Sequence, residues 1–259
     1  MSRNPEVAVS DAVLTVEVGN TAIKLSVFDG ETLVDSLAGS NLSAREVHEF
    51  VESHRPFRGV VCCLVGVDTV GVVDMLRREF ADRFMQLDAN TPVPVTVGYD
   101  RSTLGDDRLA AAVGVASPED SVLLVDAGTA VTLDLTRGMR YVGGNISPGV
   151  NLRFEALNRF THRLPMVSDR GEAPLFGHST REAIRSGVER GLAYEVAGSF
   201  AQARMLDPRV RLVITGGSAS ILSRYLTILN IPHDIDSHAV GRGLVRIFNF
   251  NMNSIDSNE

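Results

Sequence analysis

The sequence predicts an α/β protein that uses one structural plan twice. Three features predict it. Two strand–turn–strand segments lie about a hundred residues apart, each with an acid two residues before a glycine; a later apolar strand in each half ends at glycine; and helical patterns fall between the strands of both halves.

Taken in order, residues 13–18 form an apolar strand interrupted by Thr15 and Glu17. Gly19-Asn20-Thr21 supplies a polar turn, and Ile23, Leu25 and Val27 alternate with Lys24 and Ser26 as a returning strand with one buried face. Ser43-Ala44-Arg45-Glu46 is a capping box, followed by Val47, Phe50 and Val51 at helical spacing. An apolar strand over 60–65 stops at Gly66, and 68–84 reads as an amphipathic helical stretch. Asp106-Asp107-Arg108 then leads into an apolar helix over 109–115, with acids where the helix dipole favours them.

The second half repeats the plan. Leu123, Leu124, Val125, Asp126 and Ala127 lead to Gly128-Thr129-Ala130, after which Val131, Leu133 and Leu135 alternate with Thr132 and Asp134. Gly143 to Gly149 reads either as a glycine-rich turn between strand and helix or as flexible backbone near a ligand or subunit seam. A long helix is predicted over 180–205, with Gly187 and Gly191 on a face open to a close neighbour. A strand over 212–215 ends at Gly216-Gly217, and a helix follows over 218–229. Pro118 and neighbouring acids mark a boundary. The predicted organisation is a disordered terminus over 1–11, lobes over 12–117 and 118–249, and a frayed end over 250–259.

Composition excludes several functions. With 259 residues and 44% hydrophobic content the chain can bury a full core. A net charge of -7, with no basic cluster, gives no electrostatic footprint for nucleic acid. No apolar run approaches the length of a membrane span and the start lacks the pattern of a signal peptide, so the expectation is a cytoplasmic protein without a membrane partner. Cys62 and Cys63 are adjacent in an apolar strand, which predicts reduced, buried thiols, and zinc spacing is missing. Lys24 is the only lysine in the chain.

Paired hairpins with acid-tipped strands suit a phosphate chain. Glycine lets backbone N–H groups approach phosphate oxygens, Thr and Asn donate, and the carboxylates balance an accompanying cation. Either hairpin alone is equally well read as an ordinary turn. The chain has neither a P-loop nor a strand-coupled dinucleotide fingerprint, so phosphate binding would use the two tips.

Seven segments carry a family resemblance. Glu17-Val18-Gly19-Asn20-Thr21, Tyr99-Asp100, Gly105-Asp106-Asp107-Arg108, Asp126-Ala127-Gly128-Thr129-Ala130, Gly143 to Gly149, Gly177-His178-Ser179-Thr180 and Thr215-Gly216-Gly217 follow the order and spacing of type III pantothenate kinases. The resemblance implies a duplicated ribonuclease H-like fold of the actin-like ATPase and acetate/sugar kinase superfamily, with two lobes and a cleft between. It also implies a homodimer and transfer of the ATP γ-phosphate to pantothenate, the first step of coenzyme A synthesis. Carried over by position, Glu17, Val18, Gly19, Asn20, Thr21, Ala22, Ile23 and Lys24 resemble the ATP phosphate loop, and Thr129 a further ATP contact. Asp126 resembles the ligand of a monovalent cation, K+ or NH4+, and Glu17 a ligand of the Mg2+ that accompanies ATP. Tyr99, Gly105, Asp106, Asp107 and Arg108 resemble the pantothenate site, completed by Thr180 of the partner subunit.

The same resemblance makes Asp107 the catalytic base, a role suited to a carboxylate that receives the proton of an alcohol nucleophile. On its own Asp107 also reads as a helix-capping acid, and Arg108 as a surface ion pair. Arg153, Arg163 and Arg181 are further candidates for anion contacts, whereas His162 and His178 read as loop or surface residues. One departure stands out: the family begins its first motif with Asp, and here Glu17 is longer by a methylene. That substitution supports an alternative reading, a weak or inactive relative acting as a regulatory or binding protein. A second departure, Val65-Gly66-Val67 in place of a Val-Pro pair, predicts a difference of loop shape.

Overall fold

Two sheets with one shared strand order organise the computed structural model, which describes residues 11–68, 71–168 and 171–256. The first elements are β1 (Val13–Val18), β2 (Ile23–Asp29), β3 (Thr32–Gly39), α1 (Ala44–Ser53), β4 (Gly59–Leu64), α2 (Val72–Phe80), β5 (Phe84–Gln86), β6 (Thr96–Val97) and α3 (Asp106–Val115). They are followed by β7 (Ser121–Ala127), β8 (Ala130–Arg137), β9 (Arg140–Pro148), α4 (Val150–Arg159), α5 (Thr180–Leu206), β10 (Arg211–Thr215), α6 (Ala219–Ile228), β11 (Asp234–Ile235) and α7 (Ala239–Asp256).

Packing divides these elements into two units. Unit 1 takes the described residues up to Pro94, Asp100–Gly114 and those from Val240 onward; unit 2 takes Val95–Tyr99 and Val115–Ala239. The sheet of unit 1 runs β3-β2-β1-β4-β5, and that of unit 2 runs β9-β8-β7-β10-β11, with β6 added beyond β9. In each, a three-stranded antiparallel meander is extended by a strand parallel to its first member, β4 on β1 and β10 on β7. Parallel neighbours require a helical crossover, and α1 supplies it in unit 1. The duplication legible in the sequence is therefore a duplication of topology.

Each sheet is covered by apolar side chains. β1 and β4 are buried on both faces, which explains their nearly continuous apolar runs, and Leu14, Val16, Leu25, Val47, Val51, Val60 and Leu76 form one core. In unit 2 the core joins Val125, Val131 and Leu133 of the sheet to Ile184, Leu192, Val196 and Phe200 of α5 and to Leu222 and Leu226 of α6.

Several elements differ from the sequence expectation for identifiable reasons. Helix α2 is shorter than the predicted stretch: the Asp68 carboxylate accepts from Val72 N at 3.1 Å and Val73 N at 2.8 Å, and Ala81 at φ 40° ends it. Phe84 already belongs to β5. Gly143 to Pro148 are strand, not turn, because β9 pairs with β8 along this whole segment; Gly143 takes φ 152° at the register shift. Only Gly149 serves as the N-cap of α4.

The last helix is the largest difference. The sequence assigns 118–249 to one lobe, whereas packing groups the residues from Val240 with unit 1. Gly241 and Gly243 give α7 the flat face on which Phe28 of β2 and Ala110 of α3 rest. The helix continues to Asp256, past the expected fraying point at 250, and Asn251 Nδ2 donates to Pro92 O at 2.9 Å and Ile247 O at 2.8 Å. The expected tails at 1–10 and 257–259 lie outside the described residues.

Candidate active site

In unit 1 the site is built on the β1–β2 hairpin. Glu17 is the penultimate residue of β1; its ladder partners are Lys24 on β2 and Cys63 on β4. The Lys24 ammonium lies 3.6 Å from Glu17 Oε1, which is otherwise buried without a hydrogen-bond partner among the described residues. Burial pushes the Glu17 carboxyl up, the Lys24 ammonium pulls it back, and the Asp107 carboxylate adds to the rise. Burial, reinforced by Glu17 and Asp107, likewise drives the Cys63 thiol well up, and the Cys62 thiol is pushed up to about 12. Both cysteines are free, buried thiols without nucleophilic character.

The hairpin tip is held from below. Gly19 N donates to Ala22 O at 3.0 Å, closing the turn, while Val65 N and Gly66 N both donate to Val18 O at 2.9 Å. A Cβ on Gly66 would come within 2.5 Å of Gly19 C and 2.9 Å of Asn20 N, so only glycine fits under the tip. A cavity of about 330 Å³ opens at this point, lined by Gly19, Asn20, Thr21, Ala22 and Ile23 together with Ser40, Asn41, Leu42 and Val67.

Helix α3 brings Gly105-Asp106-Asp107-Arg108 into the same unit. Leu109 N donates to Gly105 O at 3.1 Å, and Asp107 Oδ1 accepts from Arg108 N at 2.8 Å, satisfying one donor of the first turn. A Cβ at Gly105 would sit 2.7 Å from Asp107 Oδ1, so the glycine leaves room for that carboxylate. Burial raises the Asp106 carboxyl, Asp88 adds to the rise, and Arg101 opposes it. Arg108 is buried, which removes its reading as a solvated surface ion pair.

In unit 2 three predicted segments meet at Asp126. It occupies the penultimate position of β7, opposite Thr132 on β8 and Thr215 on β10. Gly216, at φ 90°, lies so close that a Cβ there would overlap Asp126 Oδ1 and approach Ala127 C within 2.7 Å. Ser218 N donates to Ala127 O at 2.8 Å, and Gly149 N donates to Thr129 O at 3.0 Å. Gly128-Thr129, Gly149 and Gly216 thus form one backbone cradle around the Asp126 strand end.

Tyr99 also belongs to unit 2. Its ring meets Tyr141 edge-on at 6.0 Å, and the Tyr141 hydroxyl donates to buried Asp134 at 2.6 Å, which also accepts from Thr132 Oγ1 at 3.0 Å. Thr180 opens α5 in an exposed position, behind a Ser179 cap whose Oγ accepts from Glu182 N at 3.3 Å. The loop before it is pinned: Ala173 N donates to the Tyr225 hydroxyl at 2.9 Å, that hydroxyl donates to buried Glu189 at 2.7 Å, and Ser186 Oγ donates to Pro174 O at 2.8 Å. Arg153 is engaged by Glu195 and Pro148 O, whereas Arg163, His162 and His178 are exposed.

A profile of the type III pantothenate kinase family matches residues 13–202. The type III pantothenate kinase of Phocaeicola vulgatus is 37% identical over 92% of this chain and 98% of its own length. The chain belongs to the type III pantothenate kinase family. The enzyme of that name from Porphyromonas gingivalis (strain ATCC 33277) is 36% identical over 92% of this chain and 98% of its own length. Among solved structures, the activator of the 2-hydroxyisocaproyl-CoA dehydratase from Clostridium difficile, with bound ADPNP, superposes with a TM-score of 0.55 at 14% identity. It covers 95% of this chain and 97% of its own. The fold is the duplicated ribonuclease H-like fold.

For a type III pantothenate kinase, the sequence motifs locate the strand ends and helix starts but miss their supports. Ser40, Asn41, Leu42 and Val67 line the cavity from loops without any motif, and the β3–α1 loop could be located only after β3 itself. Gly66 carried a signal, a glycine at a strand end; its close approach to Gly19 depends on the β1–β4 pairing.

Proposed function

We propose that the protein transfers the γ-phosphoryl group of ATP to the primary hydroxyl of pantothenate, giving 4′-phosphopantothenate and ADP at the entrance to coenzyme A synthesis. The observation that carries this reading, beside family membership, is the cavity at the β1–β2 hairpin tip with buried Glu17 at the strand end below it, in the unit that also holds Asp107 on α3. Phosphoryl transfer asks a protein for positioning and charge neutralisation, and an alcohol nucleophile adds the need for a proton acceptor.

In this reading residues 19–23, which line the cavity at the hairpin tip, meet the phosphate chain through backbone N–H groups other than that of Gly19, which closes the turn, and Lys24 adds its positive charge. Thr129 is assigned as a further ATP contact. Tyr99, Gly105, Asp106 and Arg108 orient pantothenate, the guanidinium of Arg108 supplying a fork of donors. Asp107 accepts the hydroxyl proton as the oxygen bonds to phosphorus and the bond to the β-phosphate oxygen breaks. The buried Oε1 of Glu17, which faces the Lys24 ammonium at 3.6 Å, fits a cation ligand, and Asp126 in its glycine cradle fits a second, monovalent one. Mg2+ and K+ or NH4+, when bound, supply charge neutralisation to the phosphates.

The same reading includes a homodimer, with Thr180 of the partner subunit completing the pantothenate site, and cytoplasmic action. Support for the dimer comes from α5, where Gly187 and Gly191 leave space open and an apolar groove of about 680 Å³ runs between α4 and α5. No helix among the described residues is long and apolar enough to cross a membrane.

The test is direct. Purified protein with ATP, Mg2+, K+ and pantothenate is scored for phosphopantothenate. Product dependent on each component is the expected result, and no turnover by folded protein would overturn the reading.

A further inference from the structure

We propose that α7 is a positioning element for catalysis: through Arg242, Gly243 and Arg246 it fixes helix α3, and therefore the Asp107 carboxylate, against the β2–β3 hairpin. The proposal rests on the reading of Asp107 as the base, and it concerns a segment beyond the 13–202 matched by the family profile.

Three contacts define the clamp. At Gly243 the two helices touch backbone to backbone. A Cβ there would overlap Ala110 O and lie 2.6 Å from Ala110 C and 2.9 Å from Gly114 N, so the missing side chain sets the distance between the helices. Arg242 Nε donates to Gly114 O at 3.1 Å and Arg246 Nη1 to Val113 O at 2.9 Å. These carbonyls belong to the last turn of α3, where intrahelical partners run out and a cation also meets the negative end of the helix dipole. Arg246 then uses its two remaining faces on Glu31 in the β2–β3 turn, Nε to Oε1 at 2.9 Å and Nη2 to Oε2 at 2.8 Å.

One guanidinium therefore joins the C-terminal end of α3 to the hairpin that carries Lys24. A lysine could not do this, because three donors in one plane are used on two elements. Helix α3 spans Asp106–Val115, so Asp107 sits at the opposite end of a rod about 15 Å long, held at its base. Catalysis is sensitive to such a base. A displacement of about 1 Å from a remote change can cost about 100-fold in rate. The stabilising worth of the clamp is separable, because the Glu31 side chain is about half exposed and such a pair adds little to folding free energy.

The experiment compares Glu31→Gln, Arg246→Lys and Gly243→Ala, each alone and combined with Asp107→Asn. The measurements are kcat, KM for ATP and pantothenate, thermal melting, and hydrogen exchange of the α3 amides. The clamp predicts kcat lowered by about 10-fold in Arg246→Lys and up to about 100-fold in Gly243→Ala, with KM for ATP nearly unchanged and faster exchange in α3. In the Asp107→Asn background the same changes should cost almost nothing further, since the group being positioned is already gone. Equal losses in both backgrounds, or wild-type kcat and exchange in Glu31→Gln and Arg246→Lys, would overturn the proposal. Should Gly243→Ala fail to fold, those two variants decide. If Asp107→Asn itself retains wild-type turnover, the base assignment falls, and α3 exchange alone then judges the clamp.

Discussion

Glu17 and Lys24 face each other across the β1–β2 ladder with the ammonium 3.6 Å from the buried carboxylate oxygen. The equivalent acid of unit 2, Asp126, has the neutral Thr132 as its cross-strand neighbour. Two hairpins with the same pairing thus differ in the residue across from the acid: a lysine in one, a threonine in the other.

Glu17 should destabilise the fold it serves. Its carboxyl is raised above 4.5 by burial despite Lys24, so the folded state binds more protons, and stability falls as pH rises from 4.5 through the folded value. Glu17→Gln should melt higher than wild type near about pH 7.5, lose that advantage below about pH 4.5, and bind Mg·ATP more weakly. Identical melting at both pH values would show that the burial of this acid costs nothing.

Gly66 supports the tip of the β1–β2 hairpin, the proposed phosphate site. Gly66→Ala forces the Gly19–Asn20 backbone to move, because the added carbon would lie 2.5 Å from Gly19 C. KM for ATP should rise by about tenfold, equivalent to about 1.4 kcal/mol, with KM for pantothenate little changed. Steady-state kinetics with each substrate varied in turn checks the split.

Gly216 does the same for Asp126. Gly216→Ala strains a backbone at φ 90° and displaces Asp126 Oδ1. The potassium concentration for half-activation should rise by about tenfold, about 1.4 kcal/mol of weakened cation binding. A potassium titration identical to wild type would remove Asp126 from the cation site.

Much of this was legible in the sequence because local chemistry wrote it there. The Ser43 capping box forms as read, Ser43 N donating to Glu46 Oε2 at 2.8 Å, and both acid–x–glycine hairpins form because their alternating apolar residues leave one register that buries them. The long helix begins at Thr180 behind its Ser179 cap. What escaped was set by distant partners. Gly143 to Gly149 read as a turn or as flexible backbone near a ligand or subunit seam, since glycine composition hides a strand over Gly143 to Pro148 whose ladder comes from β8. Residues beyond Val240 looked like the tail of the second half, since nothing in Gly241-Arg242-Gly243 announces that Phe28 and Ala110 will pack on them.

Asp207 offers a control outside the site. Its carboxylate is held down to about 2 by the Ser121 hydroxyl at 2.7 Å, with the Arg209 amide helping. The stability it adds is present above its ordinary value of 3.8 and is lost as pH falls from there through about 2. Asp207→Asn should flatten the acid limb of the melting profile while leaving turnover at neutral pH unchanged; an unaltered acid limb would show that other carboxylates govern it.

Asp107 carries the chemistry in this account, and its amide isostere tests that most directly. Phosphopantothenate formation by Asp107→Asn, measured beside wild type with ATP binding followed by calorimetry, should fall by about 100-fold or more in kcat while the ATP Kd stays close to wild type. Wild-type turnover in this variant would reduce Asp107 to the cap of α3 and contradict the account.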